Sequence, residues 1–142
     1  MHKYNTVYVI GVFDLFHRGH VEFLKKARKL GEKLIVAING DNFTARYKRP
    51  PIYSEQDRLE IISACKYVDE AFIINKYDNK EAIIEYNVDA IIHGNDWDAE
   101  GYKKQIRVDD TFLKEHNVEL VFLDYTKGVS TSNIIEKIKQ TY

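Results

Sequence analysis

Short apolar runs alternate along the chain with amphipathic stretches whose apolar residues recur at helical spacing. Five runs predict strands, over residues 6–10, 34–38, 71–74, 90–92 and 120–123. The run 34–38 contains no polar residue, which is typical of a strand buried on both faces of a parallel sheet. Strands that alternate with helices favour right-handed crossovers. The sequence therefore predicts a doubly wound α/β domain, with a five-stranded parallel sheet flanked by helices.

The predicted helices have recognisable ends. The first covers residues 21–30 and is stopped by Gly31. Ser54 is predicted to cap the second, with Asp57 at its third position. The remaining helices are predicted over residues 81–86, 105–116 and 133–140. The polar segment 39–53 is predicted to be a loop.

The composition is that of an ordinary globular domain. No repeat or linker interrupts the 142 residues, so 1–142 are predicted to form a single, Rossmann-like domain. Lys and Arg number 21 against 22 Asp and Glu, so no basic field points to nucleic acid. No apolar run approaches the roughly 18 residues of a membrane span, and no signal peptide precedes the first strand. We therefore expect no membrane insertion and a cytoplasmic location.

The single cysteine, Cys65, excludes an internal disulfide. It falls within an apolar helical pattern. We therefore predict a buried structural thiol rather than a nucleophile.

Four polar segments follow predicted strands, over residues 11–20, 40–49, 93–97 and 125–132. In doubly wound sheets, ligands bind beyond the carboxyl ends of the strands, at the point where the strand order reverses. These segments are therefore the candidate site.

The first segment contains His17 and His20 at the predicted start of a helix. The unpaired N–H groups and the dipole of a helix N-terminus attract anions, and the histidines add donors there. Two surface histidines or a metal pair are the alternatives, although no third and fourth metal ligand is evident. Gly11 permits a close approach of the backbone to a ligand. The pattern favours phosphate binding.

The second segment carries Arg46, Lys48 and Arg49, followed by two prolines that stiffen it. It is either a solvated basic loop or a clamp for a triphosphate and a second phosphate.

In the third segment, Asp96 could accept a hydrogen bond from a base or hydroxyl, or orient a water on magnesium. Trp97 either walls a pocket or packs structurally. The fourth segment runs from Thr126 to Ser132 and has three consecutive hydroxyl residues after Val129, more than a plain N-cap requires. It indicates an anion nest.

Together these motifs resemble the HxGH nucleotidyltransferases, in particular their cytidylyltransferase branch. The likeness covers nearly the whole chain and is greatest to the glycerol-3-phosphate cytidylyltransferases, with the phosphocholine and phosphoethanolamine enzymes next. The motifs that carry it are Gly11-Val12-Phe13-Asp14, His17-Arg18-Gly19-His20, Arg58, Lys66-Tyr67-Val68-Asp69-Glu70, Gly94-Asn95-Asp96-Trp97 and Gly128-Val129-Ser130-Thr131-Ser132.

The resemblance, added to the motifs, implies roles for individual residues. The catalytic residues would be His17, His20, Lys48 and Arg49. Those implied to bind the nucleotide are Val12, Phe13, His17, Gly19, His20, Arg49, Asp96, Tyr125, Thr126, Gly128, Val129, Ser130, Thr131 and Ser132. Those implied to bind the acceptor substrate are Asp14, Lys48, Arg58, Lys66, Lys80 and Trp97.

Two positions depart from the family pattern. The family commonly has arginine where this chain has Tyr125, and lysine where it has Tyr47, so that Lys48 would have to replace the lost lysine. Both departures remove phosphate-binding charge. They leave the acceptor open among glycerol 3-phosphate, another polyol phosphate, phosphoethanolamine and a phosphonate.

The implied reaction transfers CMP from CTP to a small phosphorylated alcohol and releases pyrophosphate, with Mg²⁺ on the β- and γ-phosphates. Because the acceptor phosphate is already anionic, catalysis needs positioning and charge neutralisation rather than a general base. A homodimer with sites near the interface is also implied. An adenylyltransferase using ATP and a domain that binds nucleotide without turnover are the alternatives.

Overall fold

The five predicted strands form one parallel sheet in a computed structural model, which describes residues 2–44, 49–76, 78–95 and 99–142. The strands are β1 (Tyr4–Gly11), β2 (Gly31–Asn39), β3 (Glu70–Ile74), β4 (Ala90–Gly94) and β5 (Glu119–Leu123). Their order is β3-β2-β1-β4-β5, and every neighbouring pair is parallel. The predicted doubly wound α/β class is confirmed.

Seven helices connect or follow the strands in the described part of the chain. They are α1 (Arg18–Leu30), α2 (Asp41–Thr44), α3 (Glu55–Ser63), α4 (Lys80–Glu85), α5 (Ala99–Ile106), α6 (Asp110–Glu115) and α7 (Thr131–Thr141). Ser54 caps α3 as predicted, since its side chain accepts a hydrogen bond from the Asp57 N–H at 3.2 Å. Gly31 follows α1 directly, but with extended backbone that already begins β2.

One helix prediction and one loop prediction are wrong. The helix expected over 105–116 is two helices, because Arg107 adopts a left-handed φ of 60° after α5. Asp109 then starts α6 by accepting from the N–H of Phe112 at 2.9 Å. The segment 39–53, expected to be a loop, contains the short helix α2, whose turn is closed by the Thr44 N–H on the Gly40 carbonyl.

The sheet buries both faces, as the alternation of side chains along β1 illustrates. Tyr8 and Ile10 pack against residues of α4, α5 and α6. Val7 and Val9 pack on the opposite face, against residues of α1 and α3. Cys65, predicted to be buried, is half-buried and packs against that second core, so the structure corrects the degree of burial and keeps the packing role.

Strand order reverses between β1 and β4, which are neighbours although β2 and β3 lie between them in sequence. The connections that leave these two strands diverge to opposite faces, so a crevice opens at their carboxyl ends. The segments that follow β1 and β5 line it, together with His93 of β4.

The fully buried Arg58 guanidinium lies beneath this crevice. It donates to the carbonyl oxygens of Val12 at 2.9 Å, Asn39 at 2.7 Å and Tyr53 at 3.1 Å. It also pairs with the Asp41 carboxylate at 2.6 Å. Arg58 therefore joins the ends of β1 and β2 to the start of α3.

Asp41 and Glu55 complete this arrangement by capping each other's helices. The Glu55 carboxylate accepts from the Asp41 N–H at 2.9 Å, and the Asp41 carboxylate accepts from the Glu55 N–H at 3.2 Å. Carboxylates at helix N-termini are favourable because they satisfy orphan donors and complement the dipole. The first residues of α2 and α3 are thereby held together.

We predict that Arg58→Met destabilises the fold by about 3–5 kcal/mol, because it leaves three carbonyls and a carboxylate without their donor. Urea unfolding followed by circular dichroism measures this loss. Arg18→Met is the matched control, since Arg18 is exposed, and it should change stability by less than about 0.5 kcal/mol. Equal losses in the two variants would show that the buried guanidinium is not the anchor described.

Candidate active site

The crevice contains a cavity of about 600 Å³. Most of the predicted site residues line it: Val12, Phe13, Asp14, His17, Gly19, His20, Arg49, Tyr125, Thr126, Val129, Ser130, Thr131 and Ser132. The volume is in the range of small-molecule sites. The first and fourth polar segments therefore meet across the crevice, as their positions after β1 and β5 predict.

His17 and His20 form a reciprocal cap at the start of α1. The Nδ1 atom of His17 accepts from the Gly19 N–H at 3.0 Å, and Nδ1 of His20 accepts from the His17 N–H at 3.2 Å. A ring nitrogen that accepts carries no proton, so each neutral imidazole holds its proton on Nε2. Both histidines therefore combine a structural acceptor with a second nitrogen that can donate to a ligand.

The two rings stack closely, with centroids 3.9 Å apart. Phe16 stacks on the His20 ring at 5.4 Å, and Phe13 meets it edge-on at 5.5 Å. Two protonated imidazoles at this distance would repel each other. The arrangement favours neutral rings.

Partial burial lowers the pKa of His17 from its ordinary value of 6.5, because the charged form loses hydration. Protonation would also place a hydrogen on Nδ1 and end its acceptance of the Gly19 N–H. Near neutral pH, His17 is thus an uncharged donor through Nε2.

Gly19 is required by the packing of His17. A Cβ added at Gly19 would lie 2.8 Å from Cε1 of the His17 ring and 3.0 Å from its Nδ1. The ring would have to move, and the cap would be lost. This close approach explains why glycine separates the two histidines.

The loop after β1 has a strained backbone. Phe13 and Leu15 adopt left-handed φ angles of 56° and 48°, which residues other than glycine rarely adopt. A Cβ at Gly11 would lie 2.8 Å from the Phe13 ring. The strain is held in place by the surrounding hydrogen bonds.

The Asp14 carboxylate supplies several of those bonds. It is buried and accepts from the N–H groups of Ile52 at 2.7 Å and Tyr53 at 2.9 Å. Arg49 lies 3.8 Å away and is partly exposed to the cavity. Asp14 thus ties the β1 loop to the segment before α3 and places the Arg49 guanidinium at the cavity wall.

The N-terminus of α7 closes the opposite wall. Ser130 caps it by accepting from the Asn133 N–H at 3.0 Å, and the Thr131 hydroxyl donates to the Asp14 carbonyl at 2.9 Å. Helices α1 and α7 therefore both direct N-termini to one cavity, and each attracts anions. Gly128, with φ of 82°, makes the preceding turn.

Tyr125 covers the end of β4. A Cβ at Gly94 would lie 2.0 Å from the Tyr125 ring, so the ring rests directly on the glycine backbone. Its other neighbour is Phe23, with ring centroids 6.0 Å apart. At this position the cavity wall is therefore aromatic rather than charged.

Three residues assigned to the acceptor from the sequence lie elsewhere. Arg58 is buried beneath the cavity floor with its donors on the backbone. Lys66 precedes Asp69, which pairs with the backbone of Leu34 near the start of β2, so it lies at the amino edge of the sheet. Lys80, at the start of α4, lines a separate groove.

Lys48, Asp96 and Trp97 lie outside the described residues, as do Arg46 and Tyr47. Three residues of the cavity lining lie outside the four predicted segments: Val9, Ile10 and Phe23. Thr44 and His93 fall within the predicted segments 40–49 and 93–97 but had no role assigned to them. The apolar pattern of Val9, Ile10 and Phe23 indicates only a strand and a helix, so it carries no signal of a site.

Among the described residues, no group of three or more His, Cys, Asp and Glu side chains comes together as a metal site. The described helices include none that is long and apolar enough to cross a membrane.

Comparison with known proteins decides the family. The family model described as cytidylyltransferase-like matches residues 8–137. The chain belongs to the cytidylyltransferase-like family. Its members are nucleotidyltransferases, and the match spans β1 through most of α7. The predicted family resemblance is confirmed.

Individual relatives agree with this family. Glycerol-3-phosphate cytidylyltransferase of Bacillus subtilis is 35% identical over 133 residues, covering 93% of this chain and 95% of that protein. FAD synthase of Pyrococcus horikoshii is 36% identical over 140 residues, covering 96% of this chain and 93% of that protein. Other relatives are longer, and the chain spans 27% of the bifunctional protein HldE of Syntrophotalea carbinolica.

A solved structure supports the same architecture. It is that of a lipopolysaccharide core biosynthesis protein from Thermoplasma volcanium, with a TM-score of 0.74 and 30% sequence identity. The match covers 87% of this chain and 98% of the other. The five-stranded Rossmann-like fold is thus shared by a related protein of similar size.

The His17 cap makes a pH-dependent contribution to stability. Its pKa is lowered on folding, so the unfolded chain binds the proton more readily, and the free energy of unfolding should fall as the pH drops below 6.5. His17→Asn keeps a capping side chain but cannot titrate. We expect the difference in unfolding free energy between the native chain and His17→Asn to shrink or reverse between pH 8 and pH 5. Urea unfolding at the two values measures it, and a constant difference would contradict the assignment.

Proposed function

We propose that the protein transfers CMP from CTP to a small phosphorylated alcohol, glycerol 3-phosphate or a related polyol phosphate, and releases pyrophosphate. The observation that carries the proposal is the pair of Nε2–H donors of His17 and His20 at the start of α1, inside the cavity. The relative from B. subtilis, named for this reaction and matched over nearly its whole length, supports the same activity.

In the proposed reaction, an oxygen of the acceptor phosphate attacks the α-phosphorus of CTP. A new P–O bond forms, the bond from the α-phosphorus to the bridging oxygen breaks, and its electron pair leaves with pyrophosphate. The attacking oxygen is already anionic near neutral pH, so no side chain has to remove a proton. What the protein must supply is alignment and stabilisation of charge around the α-phosphate.

His17 and His20 donate Nε2–H to oxygens around the α-phosphorus, and the N-terminus of α1 adds its dipole at the same place. Their Nδ1 atoms are fixed by the backbone, so the rings need little reorganisation when charge develops. Arg49, held near Asp14, neutralises a phosphate beside the reacting bond, with Lys48 proposed as its partner.

The cavity wall formed by the N-terminus of α7 suits the β- and γ-phosphates of CTP. The N-terminus of α7, capped by Ser130, and the hydroxyl-bearing turn before it offer donors to the β- and γ-phosphates. Tyr125 bounds the nucleotide on the β4 side.

CTP enters this site as its magnesium complex. The described lining has one acidic side chain, Asp14, and its carboxylate is occupied by backbone N–H groups. The residues present therefore fit an ion held by phosphate and water oxygens, which is the usual coordination of Mg²⁺ with nucleotides. Such an ion supplies neutralising charge to the leaving pyrophosphate. A homodimer is part of the proposal, and sedimentation velocity of the native chain tests it.

The relative named FAD synthase supports a second candidate, an adenylyltransferase on the same fold. The two candidates differ in the base of the nucleotide. An assay that compares CTP with ATP at equal concentration separates them.

We expect pyrophosphate release with CTP, Mg²⁺ and glycerol 3-phosphate or another polyol phosphate, and at least about 100-fold less with ATP. Phosphoethanolamine and a phosphonate complete the acceptor panel. Turnover with ATP alone would favour the second candidate. CTP binding without turnover on any acceptor would favour a nucleotide-binding domain that does no chemistry.

His20→Ala should reduce kcat by about 100- to 1,000-fold, because it removes a donor to charge that develops in the transition state. Circular dichroism and CTP binding check that the fold and the cavity persist. The matched control His116→Ala removes an exposed histidine after α6 and should leave kcat unchanged. Normal turnover by His20→Ala would contradict the proposed role.

Gly19→Ala should also reduce kcat, by about tenfold or more, because the added methyl displaces the His17 ring. Steady-state kinetics measure the loss. A matched Gly128→Ala variant has open space around its Cβ but a left-handed φ, so it reports backbone strain without displacing a histidine. An NMR shift of the His17 ring signals in Gly19→Ala, absent in Gly128→Ala, separates displacement from general destabilisation.

A further inference from the structure

One wall of the cavity carries an exposed aromatic ring, that of Tyr125. Its side chain lines the cavity and is 47% exposed. The chain departs here from the family pattern, which commonly has arginine, so an aromatic face replaces a cation. An aromatic face favours planar groups that can stack on it. The wall at Tyr125 therefore suits a different part of a ligand from the part that suits the helix N-termini.

Two neighbours support the Tyr125 ring. Gly94, at the end of β4, has no side chain, and the far end of the tyrosine ring occupies the space where a Cβ would lie. Phe23 of α1 is buried in the second core and lies beside the ring, with centroids 6.0 Å apart and planes tilted by 33°. The three residues Phe23, Gly94 and Tyr125 together form an aromatic platform on the cavity wall.

The backbone that leads to the aromatic platform is part of the sheet. Leu123, two residues before Tyr125, pairs with Gly94 in the parallel ladder of β4 and β5. The Leu123 carbonyl also accepts from the Asn95 N–H at 3.0 Å, and the Asn95 side chain donates to the Asp124 carboxylate. A ring that is already held before binding loses little conformational entropy when a ligand stacks on it.

The platform lies at one end of the segment that also supplies phosphate donors. The chain runs from Tyr125, over the end of β4, to Ser130, which caps α7. The starts of α7 and α1 are close, because a Cβ at Gly19 would lie 3.6 Å from the Val129 carbonyl oxygen. Phosphates held at these two helix N-termini leave the platform to another part of the same ligand. In a nucleotide, the planar part that the ribose joins to the phosphates is the base.

We propose that the base of the bound nucleotide stacks on the aromatic platform, with Tyr125 as the stacking residue. The inference rests on the proposed function for the ligand being a nucleotide, but it requires neither turnover nor a particular base. Every base has a π-face, so the platform holds cytosine and adenine alike. Stacking thereby contributes to nucleotide binding at a position where the chain lacks the family's charge.

The test compares the binding of CTP with that of inorganic tripolyphosphate, which has the same chain of phosphates without the nucleoside. Isothermal titration calorimetry of the whole chain with Mg²⁺ measures both affinities. Tyr125→Ala should weaken CTP binding by about tenfold or more and tripolyphosphate binding by less than about twofold. Tyr125→Phe keeps the ring and should bind CTP within about threefold of the native chain. The matched control Tyr142→Ala removes an exposed tyrosine just after α7 and should leave both affinities unchanged.

Gly94→Ala perturbs the same platform without removing the ring. The three atoms nearest to the added Cβ all belong to the Tyr125 side chain, so the methyl group displaces the ring. Gly94→Ala should therefore weaken CTP binding as well. The double variant Gly94→Ala/Tyr125→Ala should bind CTP no more weakly than Tyr125→Ala alone, because the two changes act on one contact. Additive losses would contradict the platform.

Circular dichroism checks that each variant is folded. Unchanged CTP affinity in Tyr125→Ala would overturn the proposal, and a raised KM for glycerol 3-phosphate in that variant would assign the ring to the acceptor instead. Equal losses of CTP and tripolyphosphate affinity would also overturn it, because the ring would then only shape the wall. If the native chain binds ATP and not CTP, the same comparison is made with ATP. A native chain that binds no nucleotide would contradict the proposed function together with this inference.

Discussion

The β1 side of the candidate site depends on one buried cation, the Arg58 guanidinium. It uses its donors on three backbone carbonyls and one carboxylate, and thereby fixes the ends of β1 and β2 and the approach to α3. A charge taken out of water is tolerated only when its hydrogen bonds are satisfied, and here four contacts do so. The strained turn at Phe13 begins at the very carbonyl, that of Val12, which Arg58 holds. The geometry of the loop therefore follows from a residue that never reaches the cavity.

In the proposed reaction, the histidine pair serves folding and chemistry together. Capping requires two acceptors three residues apart at the start of a helix, and the Nδ1 atoms of His17 and His20 satisfy that requirement. Because capping uses one nitrogen of each ring, it also fixes the proton on the other. The spacing and the glycine between the histidines are thus set by local helix geometry, while the Nε2 atoms carry the ring protons. Aspartate would cap α1 as well, but its carboxylate only accepts and would offer no such donor.

The sequence predicts the sheet, the strand ends and the cavity walls because apolar runs and helix caps are local signals. A charged residue in the sequence is a weaker signal, because the sequence does not show whether its side chain is buried. Asp14 and Arg58 resemble ligand-binding residues in sequence, yet both are buried and spend their hydrogen bonds on backbone, which no local pattern reveals. Lys66 was placed with the site by motif alone, although the length of α3 brings it to the opposite edge of the sheet. The break between α5 and α6 depends on the left-handed Arg107, a conformation that its residue type does not favour.

The proposed function requires a chain with balanced charge to hold a highly charged ligand. Among the described residues that line the cavity, Arg49 is the one permanent cation, and partial burial lowers the pKa of His17 so that its neutral form is favoured. In the proposed function, recognition of phosphate relies on two helix N-termini and on N–H groups of fixed direction rather than on a strong positive field. Fixed donors act only at contact distance, whereas a field of basic side chains would attract any polyanion, nucleic acid included. Selectivity for a small ligand that fits between α1 and α7 is the physical consequence of this choice.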